Sequence, residues 1–215
     1  MIDAVVFDLD GVLIDTEQLW GEVREDLARE RGGRWSEHAQ ADMMGMSSPE
    51  WSRYMHEVVG LPESPDEIAE EVVQRMEARY RKRLPLIPGA REAVERLAAR
   101  WPLGLASSSN RPLIDLALEL GSLARLFTVT VSSEEVARGK PAPDVYLEAV
   151  RRLDVEPAHA AAVEDSSNGI RSAHAAGLRV VAIPNAHFPP DEDALALAEV
   201  VIDSLAELTP LAIAR

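Results

Sequence analysis

The sequence contains no cysteine, which removes disulfide scaffolds, thiolate metal sites and cysteine nucleophiles from consideration. Any chemistry here must use oxygen and nitrogen groups. Lysine is almost as scarce: of 22 Lys plus Arg, only Lys82 and Lys140 are lysines. Long apolar runs are missing too, none approaching the roughly 18 residues of a membrane-spanning helix. Met1 leads into Asp3 rather than into a basic segment with an apolar core, so a cytoplasmic protein without a membrane partner is expected. Positive charge is in deficit, the formal net charge being −15. That balance argues against a general nucleic-acid binder, which needs surplus cations along a phosphate backbone. An acidic chain that handles phosphates needs local cations, a metal ion or a few well-placed basic side chains, to overcome its own repulsion.

What is present suffices for a sizeable core: 215 residues, 47% of them hydrophobic, fit one domain or one domain carrying an insertion. Ala4-Val5-Val6-Phe7 is a continuous β-prone run that ends at Asp8, as expected of a strand buried on both faces. Similar runs recur at Leu103 to Ala106, Phe127 to Val131, Ala160 to Val163, Arg179 to Ile183 and Val200 to Ile202. Helical patterns fall between them at Ala90 to Arg100, Pro112 to Leu120, Pro143 to Leu153 and Ser167 to Ala176. The alternation predicts an α/β fold, a mainly parallel Rossmann-like sheet with helices on both faces. From Glu17 to about Arg83 it breaks down into Glu, Arg, Met and Trp at helical spacing, with punctuation at Gly32-Gly33, Ser47-Ser48-Pro49 and Leu61-Pro62. The expected organisation is an α/β core of residues 1–16 and 85–215, interrupted after the first strand by an all-helical cap of residues 17–84.

Asp8-Leu9-Asp10-Gly11 follows the first strand and places two carboxylates at the carboxyl edge of the sheet, where open α/β folds usually bind ligands. A turn with Gly11 supplying a positive φ would explain the same residues. Glu164-Asp165, ahead of Ser166-Ser167-Asn168-Gly169, brings two more acidic groups to a strand end. Converging carboxylates repel one another unless a cation sits among them, and an all-oxygen site suits magnesium. The competing explanation is a capped helix start. Ser107-Ser108-Ser109-Asn110 ends another strand before a helix, so hydroxyls and free N–H groups can face an anion. Lys140 lies in Gly139-Lys140-Pro141, a corner where a compact point charge serves better than a guanidinium. Lys82, inside Arg81-Lys82-Arg83, reads as a solvated surface residue. Together these parts make up a phosphoryl-transfer site.

In order along the chain, Asp8-x-Asp10-Gly11-Val12-Leu13-x-Asp15-Thr16, Ser107, Lys140-Pro141-x-Pro143-Asp144 and Glu164-Asp165-Ser166-x-x-Gly169 resemble the four motifs of the haloacid dehalogenase-like superfamily. The resemblance covers Ile2 to about Pro184, and the position of the insert resembles the cap of the phosphoglycolate phosphatase-like and β-phosphoglucomutase-like subgroup. It implies that Asp8 attacks phosphorus to form an aspartyl-phosphate, and that Asp10 protonates the leaving oxygen and then deprotonates water. It further implies magnesium, Mg2+, held by the Asp8 side chain, the Asp10 main-chain carbonyl and Asp165, with Glu164 assisting directly or through water. Ser107 would bind the phosphoryl group with help from Ser108 or Asn110, and Lys140 would neutralise the developing charge.

A mobile cap would admit a small phosphorylated metabolite and exclude bulk water, with hinges near Asp15-Thr16 and Leu84 to Gly89. Its candidates for substrate contact are Glu17, Trp20 and the Gly45-Met46-Ser47-Ser48 turn, although Trp20 and Met46 also suit plain core packing. A mutase of this type carries a His where Trp20 stands and an Arg where Pro49 stands, so a phosphomonoester hydrolase is preferred to a β-phosphoglucomutase-like reading. The non-enzymatic rival is a receiver-like phosphoacceptor module, which needs neither the insert nor a second Asp two positions beyond the first. The chain is expected to act as a monomer or weak dimer.

Overall fold

The computed structural model describes residues 1–43, 46–185 and 188–214. Six parallel strands form one sheet: β1 (Ala4–Phe7), β2 (Leu103–Ser107), β3 (Val129–Ser132), β4 (Ala160–Glu164), β5 (Arg179–Ala182) and β6 (Val200–Val201), in the order β3-β2-β1-β4-β5-β6. β1 lies between β2 and β4, where the strand order reverses direction. Ligands of open α/β sheets bind in the crevice beyond such a point.

The strands alternate faces as a period of two requires. Val5, Phe7, Ala161 and Val163 join one apolar cluster, while Val6, Ala160 and Ala162 join the other. Helices cover both faces: α5 (Ala90–Ala98) and α6 (Arg111–Leu120) on the first, α7 (Asp144–Arg152) and α8 (Ser167–Ala175) on the second. Short helices α9 (Glu192–Leu195) and α10 (Pro210–Ala214) complete the chain. In register, Phe7 pairs with both Leu105 and Val163, so Asp8 and Glu164 emerge at the same level of the sheet.

Between β1 and β2 the chain forms α1 (Glu17–Glu30), α2 (Ala39–Met43), α3 (Ser48–Tyr54), a π-helical turn at Met55–Val59, and α4 (Pro65–Lys82). No strand occurs among the described residues of this insert. α4 starts where Ser64 and Glu67 bond reciprocally, Ser64 N to Glu67 Oε2 at 2.9 Å and Glu67 N to Ser64 Oγ at 3.4 Å, which satisfies donors the helix leaves free. Its Ile68, Val72, Met76 and Tyr80 form one buried stripe at i, i+4 spacing. The two crossings into the insert run side by side, with Asp15 N donating to Pro85 O at 2.8 Å and Ile87 N to Leu13 O at 2.9 Å.

The strand expected at Phe127 starts two residues later, at Val129. Phe127 instead ends a 3-10 turn over Ala124–Leu126, and its ring packs edge-on to Phe7 at 6.0 Å and 88°. Anchoring an aromatic ring in the core outweighs extending the edge strand there.

Candidate active site

The loop after β1 folds tightly back on itself. Gly11 N donates to Ile14 O at 2.7 Å, and Gly11 takes φ +81°. A Cβ at Gly11 would stand 1.9 Å from Asp165 Oδ2. Glycine is therefore required twice over, for the turn and for the carboxylate that lies against it. The same device recurs at Gly169, where a Cβ would stand 1.8 Å from Glu164 Oε1.

Asp8, Glu164 and Asp165 are buried, and each offers a carboxylate oxygen within 4.8 Å of the others. Lys140, 5% exposed, bridges two of them, with Nζ 2.7 Å from Asp8 Oδ1 and 2.6 Å from Glu164 Oε1. Its ammonium also lies 5.1 Å from the centre of the Tyr146 ring. Tyr146 donates its hydroxyl to Glu164 Oε1 at 2.8 Å. The other Glu164 oxygen accepts from Asp165 N at 3.0 Å and from Ser166 N and Oγ at 3.3 and 3.2 Å. Glu164 is thus a heavily bonded brace that holds Lys140 and the start of α8 in place.

Burial pushes the Asp8 carboxyl up to about 8, with further upward pressure from Glu164 and Asp10 opposed by Lys140. Asp165 is driven well above the usual carboxylate range by burial and then by Glu164, Asp8 and Glu17. Lys140 loses by burial but is held above its ordinary value by Asp8 and Glu164. Three carboxylates against one ammonium leave a surplus of negative charge in a low-dielectric setting. An all-oxygen donor set of this kind fits a divalent cation, which would restore the ionised forms.

Asp10 does not join that cluster with its side chain, and three carboxylates gather where four were expected. Its carboxylate turns toward donors instead. Oδ2 accepts from Ser109 Oγ at 2.7 Å and Ser107 Oγ at 3.5 Å, while Oδ1 accepts from Trp20 Nε1 at 3.5 Å and, in a short contact, from Thr16 Oγ1. These donors fix the orientation of the Asp10 side chain.

A cavity of about 400 Å3 opens over these groups, reached by Asp8, Asp10, Lys140 and Asp165 from the sheet and by Glu17 and Trp20 from α1. The expected phosphate binders divide. Ser108 lines the cavity and its buried hydroxyl has no hydrogen-bond partner among the described residues. Ser107 is wholly buried beneath it, accepting from Ser109 N at 3.0 Å. Asn110 is turned away: its Oδ1 accepts from Ser48 Oγ at 2.8 Å and its Nδ2 donates to Glu134 Oε1 at 2.7 Å. It ties α3 to the core and does not line the cavity. Ser47 likewise serves the start of α3, its N and Oγ donating to Glu50 Oε2 at 2.8 and 2.5 Å. Of the expected cap turn, Met46 lines the cavity, whereas Gly45 lies outside the described residues. Lys82 ends α4 on the exposed surface.

Sequence reasoning passed over Ser109, Thr16, Tyr146, Trp51 and Arg24. Arg24 was within reach, since it follows Glu17 and Trp20 at i+7 and i+4 and so shares their helix face. Ser109 stood out only as one of the Ser107 to Asn110 run and Tyr146 not at all, because their partners Asp10 and Glu164 lie 99 and 18 residues away in the chain.

Residues 5–183 match the family model described as haloacid dehalogenase-like hydrolase. Hexitol phosphatase B of Escherichia coli strain K12 is 34% identical over 212 residues, covering 96% of this chain and 94% of that protein. The bifunctional riboflavin kinase/FMN phosphatase of Arabidopsis thaliana is 32% identical over 206 residues, and the match covers 95% of this chain but 54% of that longer protein. Among solved structures, CbbY from Rhodobacter sphaeroides in complex with phosphate superposes with a TM-score of 0.87 at 29% identity, covering 99% of both chains. A second crystal structure of CbbY, a mutant in complex with xylulose-(1,5)bisphosphate, has the same TM-score at 28% identity. With the motifs, the sheet order and the helical insert all in agreement, this chain belongs to the haloacid dehalogenase-like hydrolases and is a phosphatase of that family.

Proposed function

We propose that the protein is a magnesium-dependent phosphomonoester hydrolase acting on a small organic phosphate through an aspartyl-phosphate on Asp8. The observation that carries this reading is the Lys140 bridge, which fixes Asp8 Oδ1 at 2.7 Å, while its other oxygen, without a hydrogen-bond partner among the described residues, is left to attack. In the first half-reaction that oxygen bonds to phosphorus as the bond from phosphorus to the ester oxygen breaks, and Asp10 gives its proton to the departing alkoxide. In the second, Asp10 takes a proton from water, whose oxygen displaces Asp8 and releases inorganic phosphate. The hydroxyls of Ser109 and Thr16 hold the Asp10 carboxylate in place for both transfers. Lys140 spreads positive charge over the phosphoryl oxygens as negative charge builds there. Ser108, with its unpartnered hydroxyl on the cavity wall, is the donor best placed for a phosphoryl oxygen.

Magnesium bound by Asp8, Asp165 and the Asp10 main-chain carbonyl would shield the nucleophile from the phosphoryl charge. Residues 17–84 act as a cap that closes over the cavity, and the paired crossings at Leu13–Asp15 and Pro85–Ile87 are its hinges. The substrate class is phosphorylated sugars and related small esters, a reading supported by hexitol phosphatase B and by the sugar bisphosphate held by CbbY. Hydrolysis of p-nitrophenyl phosphate with and without magnesium tests the mechanism. Turnover that requires the metal and disappears in Asp8→Asn is the expected result; turnover that persists in Asp8→Asn would exclude the aspartyl-phosphate route.

A further inference from the structure

The cap face of the cavity holds a guanidinium whose counterion is missing. Arg24, on α1, is 5% exposed. Its Cζ lies 4.7 Å from the ring centre of Trp20 and 4.8 Å from that of Trp51, so the planar group is held by two indoles. Among the described residues it makes one hydrogen bond, Nη1 to the neutral Gln40 Oε1 at 3.3 Å, and its buried Nε has no partner. Among the described residues no carboxylate stands within ion-pair distance of it. Arg75 and Arg171 are treated differently: Arg75 meets Glu30 and Glu71 at 2.6 and 2.7 Å, and Arg171 meets Asp191 and Asp193 at 2.8 Å. A buried, unpaired charge is costly to keep unless its partner arrives from outside.

Glu17 is the nearest candidate partner on the same helix face, and Gln40 stands between the two. Gln40 Nε2 donates to Glu17 O at 3.1 Å and Glu17 Oε2 at 3.4 Å, while its carbonyl faces Arg24. Gly21 makes room for this wedge, since a Cβ there would press on Gln40 Cδ at 3.3 Å. Burial, reinforced by Asp10, raises Glu17 to about 7, and burial lowers Arg24 to about 10 despite Glu17 and Asp10. With Gln40 bonded to both, the two side chains form no direct ion pair. Trp20 supplies the spacing: its indole N–H points to Asp10 at 3.5 Å and its ring supports Arg24. Asp10 thus lies at the N–H edge of the Trp20 indole and Arg24 over its face, along the wall of one cavity.

We propose that Arg24 receives a second anionic group of the substrate, a phosphate or a carboxylate carried on the leaving group, so that the preferred substrates are small phosphate esters acidic at both ends. The assignment rests on the phosphatase reading of the same cavity. A guanidinium held against two indole rings presents its donors as a pre-set fork, which suits two oxygens of one acid group. A neutral hydroxyl would leave its charge uncompensated.

Matched pairs of esters test this: glycerol phosphate against phosphoglycerate for a carboxylate, and a hexose monophosphate against the corresponding bisphosphate for a phosphate. The wild type should favour the acid-ended member of at least one pair, in kcat/KM, on the order of ten- to a hundredfold. Arg24→Gln should remove that preference through KM, and Arg24→Lys should keep part of it. The ratio within a pair is independent of the fraction of folded enzyme, so a poorly folding variant still reports on specificity. A wild type that favours the neutral member of both pairs, or an Arg24→Gln enzyme with an unchanged ratio, overturns the proposal. If p-nitrophenyl phosphate is hydrolysed in an Asp8-dependent manner in that case, only the role of Arg24 falls. If no ester is hydrolysed at all, the phosphatase reading falls with it.

Discussion

Gly11→Ala and Gly60→Ala make the same demand on the backbone and should have different consequences. Both glycines take a left-handed φ, +81° and +85°. Placing an alanine in that region costs about 1–2 kcal/mol, and for a chain of this length each kcal/mol lowers Tm by roughly 2–4 °C. Around Gly60 there is nothing within 4 Å of a built Cβ, so strain is the whole cost. At Gly11 the new methyl would lie 1.9 Å from Asp165 Oδ2, and ordinary contact begins at 3.4 Å, so the carboxylate must retreat by about 1.5 Å. Asp165 is 2% exposed and has little free space to move into. A misplacement of about 1 Å at a reacting centre is worth on the order of a hundredfold in rate. Gly11→Ala should therefore lower kcat/KM by about that factor and raise the magnesium concentration for half-maximal activity. Gly60→Ala should lose a few degrees of Tm and keep the wild-type magnesium dependence. The assay is a magnesium titration of p-nitrophenyl phosphate hydrolysis beside a thermal melt. Equal magnesium dependence in the two variants would refute the idea that Gly11 exists to make room for Asp165.

Tyr146→Phe removes the hydroxyl that braces Glu164 at 2.8 Å. Loss of a buried hydrogen bond to a charged acceptor costs about 1.5–3 kcal/mol, so Tm should fall by roughly 3–12 °C, and an unchanged melt would show that the brace carries no weight. Glu17 predicts a pH effect: because its carboxyl is raised to about 7 in the folded protein, mainly by burial, the native state holds a proton that the unfolded chain releases near pH 4.5. Its contribution is therefore fully present below about pH 4.5 and is lost as pH rises toward 7. Glu17→Gln should be more stable than the wild type at pH 8 and should lose that advantage near pH 4.5. Urea unfolding at the two pH values decides it, and an advantage that does not shrink on acidification would count against a raised Glu17.

What the sequence determined by itself was the frame and the reacting groups. Buried strands read as continuous apolar runs, and Asp8, Lys140, Glu164 and Asp165 stand at the ends of runs or at turns that local rules identify. Parallel strands all present their carboxyl ends to one edge, so residues at those ends meet whatever the details of packing. Tertiary structure alone decided which way each side chain faces. Asn110 and Ser47 occupy positions that look suitable for ligand contact, yet they are spent on Glu134, Ser48 and Glu50, while Ser109 and Thr16 supply the hydroxyls that hold Asp10. The same holds for Arg24, which is one more arginine on an amphipathic helix until α3 brings Trp51 against it. Strand ends are fixed by backbone topology and short-range pattern. The partners of a polar side chain depend on packing between segments distant in the chain, which local pattern does not encode.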